Sequence, residues 1–148
     1  MNVGSFITSE KETYGIFSDG YAQSVTDEFI FEYNSLRDVL EKDSLSLMYE
    51  NALGTSKLKH SKIQFLPPLI NPTKIICVGM NYRKPYPIDG QKVSDPNNII
   101  LFGKNREAML AHLDFLESPV GDASNSFDYE GEIACLLYTS PSPRDLAV

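Results

Sequence analysis

Short apolar runs separated by polar residues and turn signals fill the first quarter of the chain. Residues 3–8 and 14–17 are β-like runs, and the second run ends at Ser18-Asp19-Gly20, a sequence typical of a turn. This pattern predicts an N-terminal hairpin, because strands of this length are normally bounded by such turn residues.

Helical spacing replaces the β-like alternation after residue 34. Ser35 precedes apolar residues at helical intervals and Asp38 lies in the first turn, which predicts a helix N-capped by Ser35 and running to residue 41 or 42. A second helix is predicted over residues 45–53, with Gly54 as a left-handed C-cap. Together with the hairpin, these helices predict a small α/β domain, which we place at residues 1–66.

Pro67-Pro68 favour an extended segment in which no helix can persist. Apolar runs typical of strands follow it. Residues 75–78 and 99–102 are short apolar runs that predict two buried strands, the second leading to Lys104. The proline-rich and glycine-containing residues 82–98 between them predict either an active-site loop or an inert surface connection. A short helix or turn is expected near residues 107–113, and the second domain is placed at residues 67–134.

An acidic strand is predicted over residues 126–134, where Asp128, Glu130 and Glu132 alternate with other residues. Successive side chains of a strand point to opposite faces, so these three carboxylates would share one face, with neighbours roughly 6.5–7 Å apart. Like charges at this spacing repel one another. The residues themselves leave two interpretations open: a fully solvated edge, or a site for Mg²⁺, Mn²⁺ or Ca²⁺.

Charge and composition exclude several classes of function. The chain has 148 residues and a formal net charge of -7, which opposes binding to nucleic acid. It contains no apolar stretch long enough to span a bilayer and no secretory signal, so we expect a cytoplasmic protein without a membrane role. Cys77 and Cys135 form neither a disulfide framework nor a CxxC metal site.

Three motifs occur in a definite order along the chain. They are Pro72-Thr73-Lys74 followed by an apolar strand ending in Gly79-Met80-Asn81-Tyr82, then Phe102-Gly103-Lys104, then Glu130-Gly131-Glu132. This ordered set resembles the fumarylacetoacetate hydrolase family. The resemblance covers most of the chain up to residue 134. It implies an α+β fold, with a small N-terminal α/β domain followed by the beginning of a mainly β catalytic domain.

The resemblance also implies an activity and a set of site residues. Members of the family are divalent-metal enzymes that hydrolyse, decarboxylate or isomerise small oxo- or hydroxy-dicarboxylates, and they commonly form homodimers. Glu130 and Glu132 match the family's two glutamate ligands, which implies Mg²⁺ or Mn²⁺, with Ca²⁺ as the third candidate. Tyr82 and Lys104 are the candidates for substrate contact, although each also suits an ordinary packing or surface role.

One departure from the family concerns proton transfer. Many members carry a histidine and a glutamate after the Asn-Tyr pair, where this chain has Pro85 and Ile88. Neither residue can transfer a proton, so the catalytic acid or base stays unidentified. His60 and His112 show no spacing that suggests a site, and we expect both to be ordinary surface or linker histidines.

The C-terminal residues depart from the family pattern as well. Residues 135 to about 145, or to 148, resemble one reading frame of a transposon-end sequencing adapter. We therefore expect an artefactual tail at 135–148 on an incomplete, inactive fragment. Two rival hypotheses remain: a non-catalytic binding or regulatory family member, and an unrelated interaction domain with a solvated acidic strand.

Overall fold

The computed structural model describes residues 2–79, 98–127 and 131–137. The chain divides into two units, one formed by residues 1–70 with 110–148 and the other by residues 71–109. Both helices and strands occur, which confirms the mixed α+β class. Each unit is described by itself.

A five-stranded antiparallel sheet forms the first unit, in the order β4-β3-β2-β1-β5. Its strands are β1 (Asn2–Ile7), β2 (Glu12–Ser18), β3 (Tyr21–Ser24), β4 (Leu58–Lys59) and β5 (Gln64–Phe65). The predicted hairpin is confirmed, since β1 pairs with β2 and places Ser5 opposite Tyr14. The turn at Ser18-Asp19-Gly20 connects β2 to β3 instead, and Gly20 takes a positive φ of 76° there.

Three short helices follow β3: α1 (Asp27–Glu32), α2 (Leu36–Glu41) and α3 (Leu45–Leu53). Helices α2 and α3 were predicted at these positions, and the Ser35 side chain accepts a hydrogen bond from the Asp38 amide as expected of an N-cap. Helix α1 was not predicted, although Thr26 caps it in the same way. The expected left-handed conformation of Gly54 was wrong, because this residue has φ -75° and continues the right-handed turn.

The core lies between one face of the sheet and the helices. Tyr14 and Ile16 of β2 pack there against residues of α2 and α3, among them the fully buried Val39 and Met48. The Tyr14 hydroxyl donates a 2.5 Å hydrogen bond to the carbonyl of Tyr33 within this core. Burial raises the pKa of the Tyr14 phenol above its ordinary value, because the charged phenolate would be poorly solvated.

Residues 55–65 complete the sheet. They contain β4 and a 3₁₀ helix, His60–Lys62, followed by β5. Strand β4 pairs with β3, and β5 pairs with β1, so each edge of the sheet formed by β1, β2 and β3 gains one short strand. The opposite face of the sheet carries an aromatic cluster in which Phe17 contacts Phe6, Phe65 and His60.

The second unit contains an antiparallel pair of strands, β6 (Ile75–Gly79) and β7 (Ile100–Lys104). The two strands were predicted at nearly these bounds. They are followed by a 3₁₀ helix, Arg106–Ala108, in the region where a short helix or turn was expected. Among the described residues, no helix combines the length and the apolar character needed to cross a bilayer.

Candidate functional site

Lys104 occupies the last position of β7. The strand register pairs it with Ile75, so it lies on the same face as Cys77 and Phe102, which oppose each other two residues along. The residue is exposed, and its side chain makes no hydrogen bond or ion pair with another described residue. Its ammonium group therefore stands at the end of an apolar strand face, where it can meet an anionic group of a ligand.

Strands β6 and β7 are more exposed than their sequences predict. Ile76 is 62% exposed and Leu101 is 61% exposed, and they share one face with Val78. Ile100 and Phe102 lie on the other face and are 42% and 48% exposed. The prediction of two buried strands was wrong, because no described layer covers this pair. Apolar residues on both faces are typical of strands that are covered on both sides.

The acidic segment is described only in part. Asp128, Tyr129 and Glu130 lie outside the described residues, whereas Glu132 is exposed and belongs to residues 131–137, which have no regular secondary structure. Before them, Gly121–Ser126 forms a 3₁₀ helix. The strand predicted over residues 126–134 is therefore absent from its described positions. At these positions the backbone N–H and C=O groups have no partner strand. They must therefore form their hydrogen bonds with water.

The described residues do not by themselves fit a divalent cation. No three His, Cys, Asp or Glu side chains among them lie close enough together to hold a metal ion. Glu132 provides a single exposed carboxylate, and hard cations need several converging oxygens for tight binding. Ligation by Glu130 and Glu132 together therefore stays a prediction, as does substrate contact by Tyr82, which also lies outside the described residues.

The two histidines pack against one phenylalanine. His60 lies edge-on to Phe65 with ring centroids 5.3 Å apart, and His112 lies edge-on to the same ring at 4.9 Å. The Nε2 atom of His60 is buried and has no hydrogen-bond partner within the described part of the chain. His60 is thus half-buried by aromatic packing, and its expected role as an ordinary rather than a catalytic residue stays a prediction.

No family model matches the chain, and no solved structure matches it. Comparison with curated proteins does find relatives. The chain is 34% identical over 102 residues to the mitochondrial oxaloacetate tautomerase fahd2 of Xenopus laevis, covering 61% of this chain and 30% of the relative. It is 34% identical over 103 residues to the mitochondrial oxaloacetate tautomerase FAHD2A of Bos taurus, covering 68% and 32%.

A bacterial relative extends the comparison. The oxaloacetate tautomerase YisK of Bacillus subtilis is 27% identical over 112 residues, which is 75% of this chain and 35% of that protein. The chain thus spans about a third of the length of the curated relatives it matches. These relatives exclude an unrelated interaction domain. The chain is a homologue of the oxaloacetate tautomerases of the fumarylacetoacetate hydrolase family.

Proposed function

We propose that the protein acts on a small oxo-dicarboxylate and interconverts its keto and enol forms, with oxaloacetate as the first candidate. The observation that carries this proposal is the 34% identity over 102 residues to an oxaloacetate tautomerase. Since the relatives are named tautomerases rather than hydrolases, we favour isomerisation over the hydrolysis or decarboxylation that the motifs also allowed.

The proposed reaction moves one proton and breaks no carbon–carbon bond. A proton leaves the carbon next to the ketone, the electron pair shifts toward the oxygen, and a proton is added to that oxygen. The site must therefore hold a dianionic substrate and stabilise negative charge on the oxygen. Lys104 suits the first task because its exposed ammonium group can pair with a substrate carboxylate. Tyr82 is the second proposed contact.

We assign the charge stabilisation to a divalent cation, Mg²⁺ or Mn²⁺ before Ca²⁺, held by Glu130 and Glu132. Such an ion, when bound, would polarise the oxo group of the substrate. The support for this assignment is the carboxylate chemistry of the pair and its match to the family motif. We also propose that the 148-residue chain alone is inactive, because it spans only about a third of the length of its relatives.

The rival hypothesis is a non-catalytic binding or regulatory member of the family. The two hypotheses differ in whether the protein has a group that transfers the proton. Pro85 and Ile88 occupy the positions of the histidine and glutamate that many family members use. Another group must therefore exchange the proton with carbon if the protein is an enzyme. If none does, the protein would bind an oxo-acid without converting it. We further propose a homodimer in the cytoplasm; the vertebrate relatives are mitochondrial by name and YisK is bacterial.

The proposal is tested by following the enol absorbance of oxaloacetate with purified protein. The complete gene product should accelerate keto–enol conversion with Mg²⁺ or Mn²⁺ and lose this acceleration in EDTA, whereas the 148-residue chain should give the buffer rate. Glu132→Gln should abolish the acceleration, while Glu117→Gln, at an exposed glutamate outside the motif, should not. Lys104→Met should raise KM more than Lys57→Met does, since Lys57 is an exposed lysine outside the three motifs.

Two results would contradict the proposal. A complete gene product that binds oxaloacetate without accelerating its conversion, with or without the cations, would identify a binding member of the family. Full activity in Glu132→Gln would remove this residue from the metal site and contradict the proposed ligation by the pair.

A further inference from the structure

A small cavity, partly open to solvent and lined by both polar and apolar residues, lies on the helical side of the five-stranded sheet. It has a volume of about 30 Å³. Strands β1 and β2, helix α1, the start of α2 and the segment after β5 all contribute to its wall. The lining residues include Ser5, Tyr14, Ser35 and Leu36. Since a water molecule needs roughly 10–15 Å³ of such space, the cavity has room for one or two waters.

Four of the lining residues are buried and carry a hydroxyl group: Ser5, Thr13, Tyr14 and Ser35. Three of them come from different elements. Ser5 is 4% exposed, Tyr14 is 3% exposed and Ser35 is 8% exposed. The Ser5 hydroxyl donates its hydrogen to the carbonyl of Pro68 at 2.9 Å, and the Tyr14 hydroxyl donates to the carbonyl of Tyr33. Each of these two hydroxyls has thus used its one hydrogen, and what remains to it is acceptor capacity.

Because both hydroxyls keep only acceptor capacity, a molecule bound in the cavity must donate hydrogen bonds to them. A divalent cation is disfavoured, because Glu12 supplies the one carboxylate among the lining residues, and hard cations need several converging oxygens. A neutral molecule of one heavy atom that can donate two hydrogen bonds fits both the volume and the acceptors. We propose that this cavity is a hydration site, in which an ordered water donates to the Ser5 and Tyr14 hydroxyls.

The position of the cavity gives such a water a structural role. The backbone carbonyl of Ser5 also accepts a hydrogen bond from the Leu66 amide at 3.1 Å, so Ser5 holds the segment after β5 at two points. Ile70 of the same segment lines the cavity. The water would therefore connect the hairpin to the helices at the place where the chain leaves the first sheet.

The test is direct detection of the water in the 148-residue chain. Nuclear Overhauser transfer from water to the backbone amides of Ser5, Tyr14 and Ser35 should be observed in the wild-type protein. Ser5→Val puts two methyl groups in place of the hydroxyl and should abolish these signals. Ser9→Ala, at an exposed serine of the loop after β1, should retain them.

Absence of the signals in the wild-type protein would overturn the proposal, and this measurement does not depend on whether Ser5→Val folds. Persistence of the signals in a folded Ser5→Val variant would overturn it too, because the filled cavity would then not be their source. Activity plays no part in the experiment, so its outcome is independent of the proposed tautomerase function.

Discussion

The side chain of Gln23 caps the C-terminal end of α3 from the neighbouring sheet. Gln23 belongs to β3 and is 4% exposed. Its Nε2 atom lies 3.1 Å from the carbonyl oxygen of Ala52, 3.2 Å from that of Leu53 and 2.9 Å from that of Thr55. The last carbonyls of a helix have no partner within the helix. The Ala52 carbonyl also accepts from the amide and the hydroxyl of Thr55, whereas the Gln23 amide is the donor to the carbonyls of Leu53 and Thr55.

Replacing Gln23 by leucine should therefore destabilise the first unit strongly. The amide has two hydrogens, and each hydrogen bond contributes about 1 kcal/mol net, while a buried acceptor left unpaired costs about 1–3 kcal/mol. Two of the three contacts are only partly buried, so water can reach their carbonyls and reduce the penalty. The expected loss is about 2–3 kcal/mol, which corresponds to a fall in Tm of roughly 10–20 °C for a unit of this size.

Urea unfolding followed by circular dichroism measures this loss in the 148-residue chain. Gln64→Leu is the matched control, because Gln64 is an exposed glutamine on β5 and should change the free energy of unfolding by less than about 0.5 kcal/mol. Gln23→Glu should be at least as damaging as Gln23→Leu, since a carboxylate cannot donate to three carbonyls. A Gln23→Leu variant within about 0.5 kcal/mol of the wild type would refute the capping role.

Three further predictions concern residues of the first unit. Gly54→Ala should raise the free energy of unfolding by about 0.4–1 kcal/mol in urea titrations, because Gly54 has φ -75°; a loss of stability would contradict that conformation. Gly15→Ala should cost at least about 3 kcal/mol and abolish the native circular dichroism spectrum, since its Cβ would lie 2.0 Å from the carbonyl oxygen of Gln23; a native spectrum would refute the close approach. The raised pKa of Tyr14 means that the native state keeps a proton which the unfolded chain releases above about pH 10. Stability should therefore fall as the pH rises beyond that value, and Tyr14→Phe should show a shallower fall in alkaline urea titrations.

Local signals in the sequence predicted the helices correctly. The Ser35 cap and the apolar spacing after it placed α2, and the run before Gly54 placed α3, because helix hydrogen bonds join residues four apart and are visible in a short window. Helix α1 was not predicted, although Thr26 is its N-cap and Asp27 and Glu28 are acidic residues of its first turn. Its three apolar residues, at positions 29–31, are consecutive and so lack the helical spacing that is visible in α2, a helix of the same length.

Local sequence signals did not predict contacts between residues that are distant along the chain. Strand β4 has two residues, and its pairing with β3 joins positions more than thirty residues apart. The same holds for His60, whose ring meets Phe17 and Phe65 only after the sheet has formed. Nothing in the residues around His60 distinguishes it from a surface histidine, so its burial is a property of the assembled unit.

The candidate site depends on the same kind of non-local pairing. Glu130 and Glu132 point the same way only in an extended backbone, and an isolated strand is not stable without a neighbour to satisfy its amides and carbonyls. The described residues around the pair have no such neighbour. Strands β6 and β7 illustrate the same limit, since their apolar runs predicted burial, whereas residues on both of their faces are exposed. Ligation of a metal by Glu130 and Glu132 is therefore a prediction that depends on strand pairing, which a local motif does not specify.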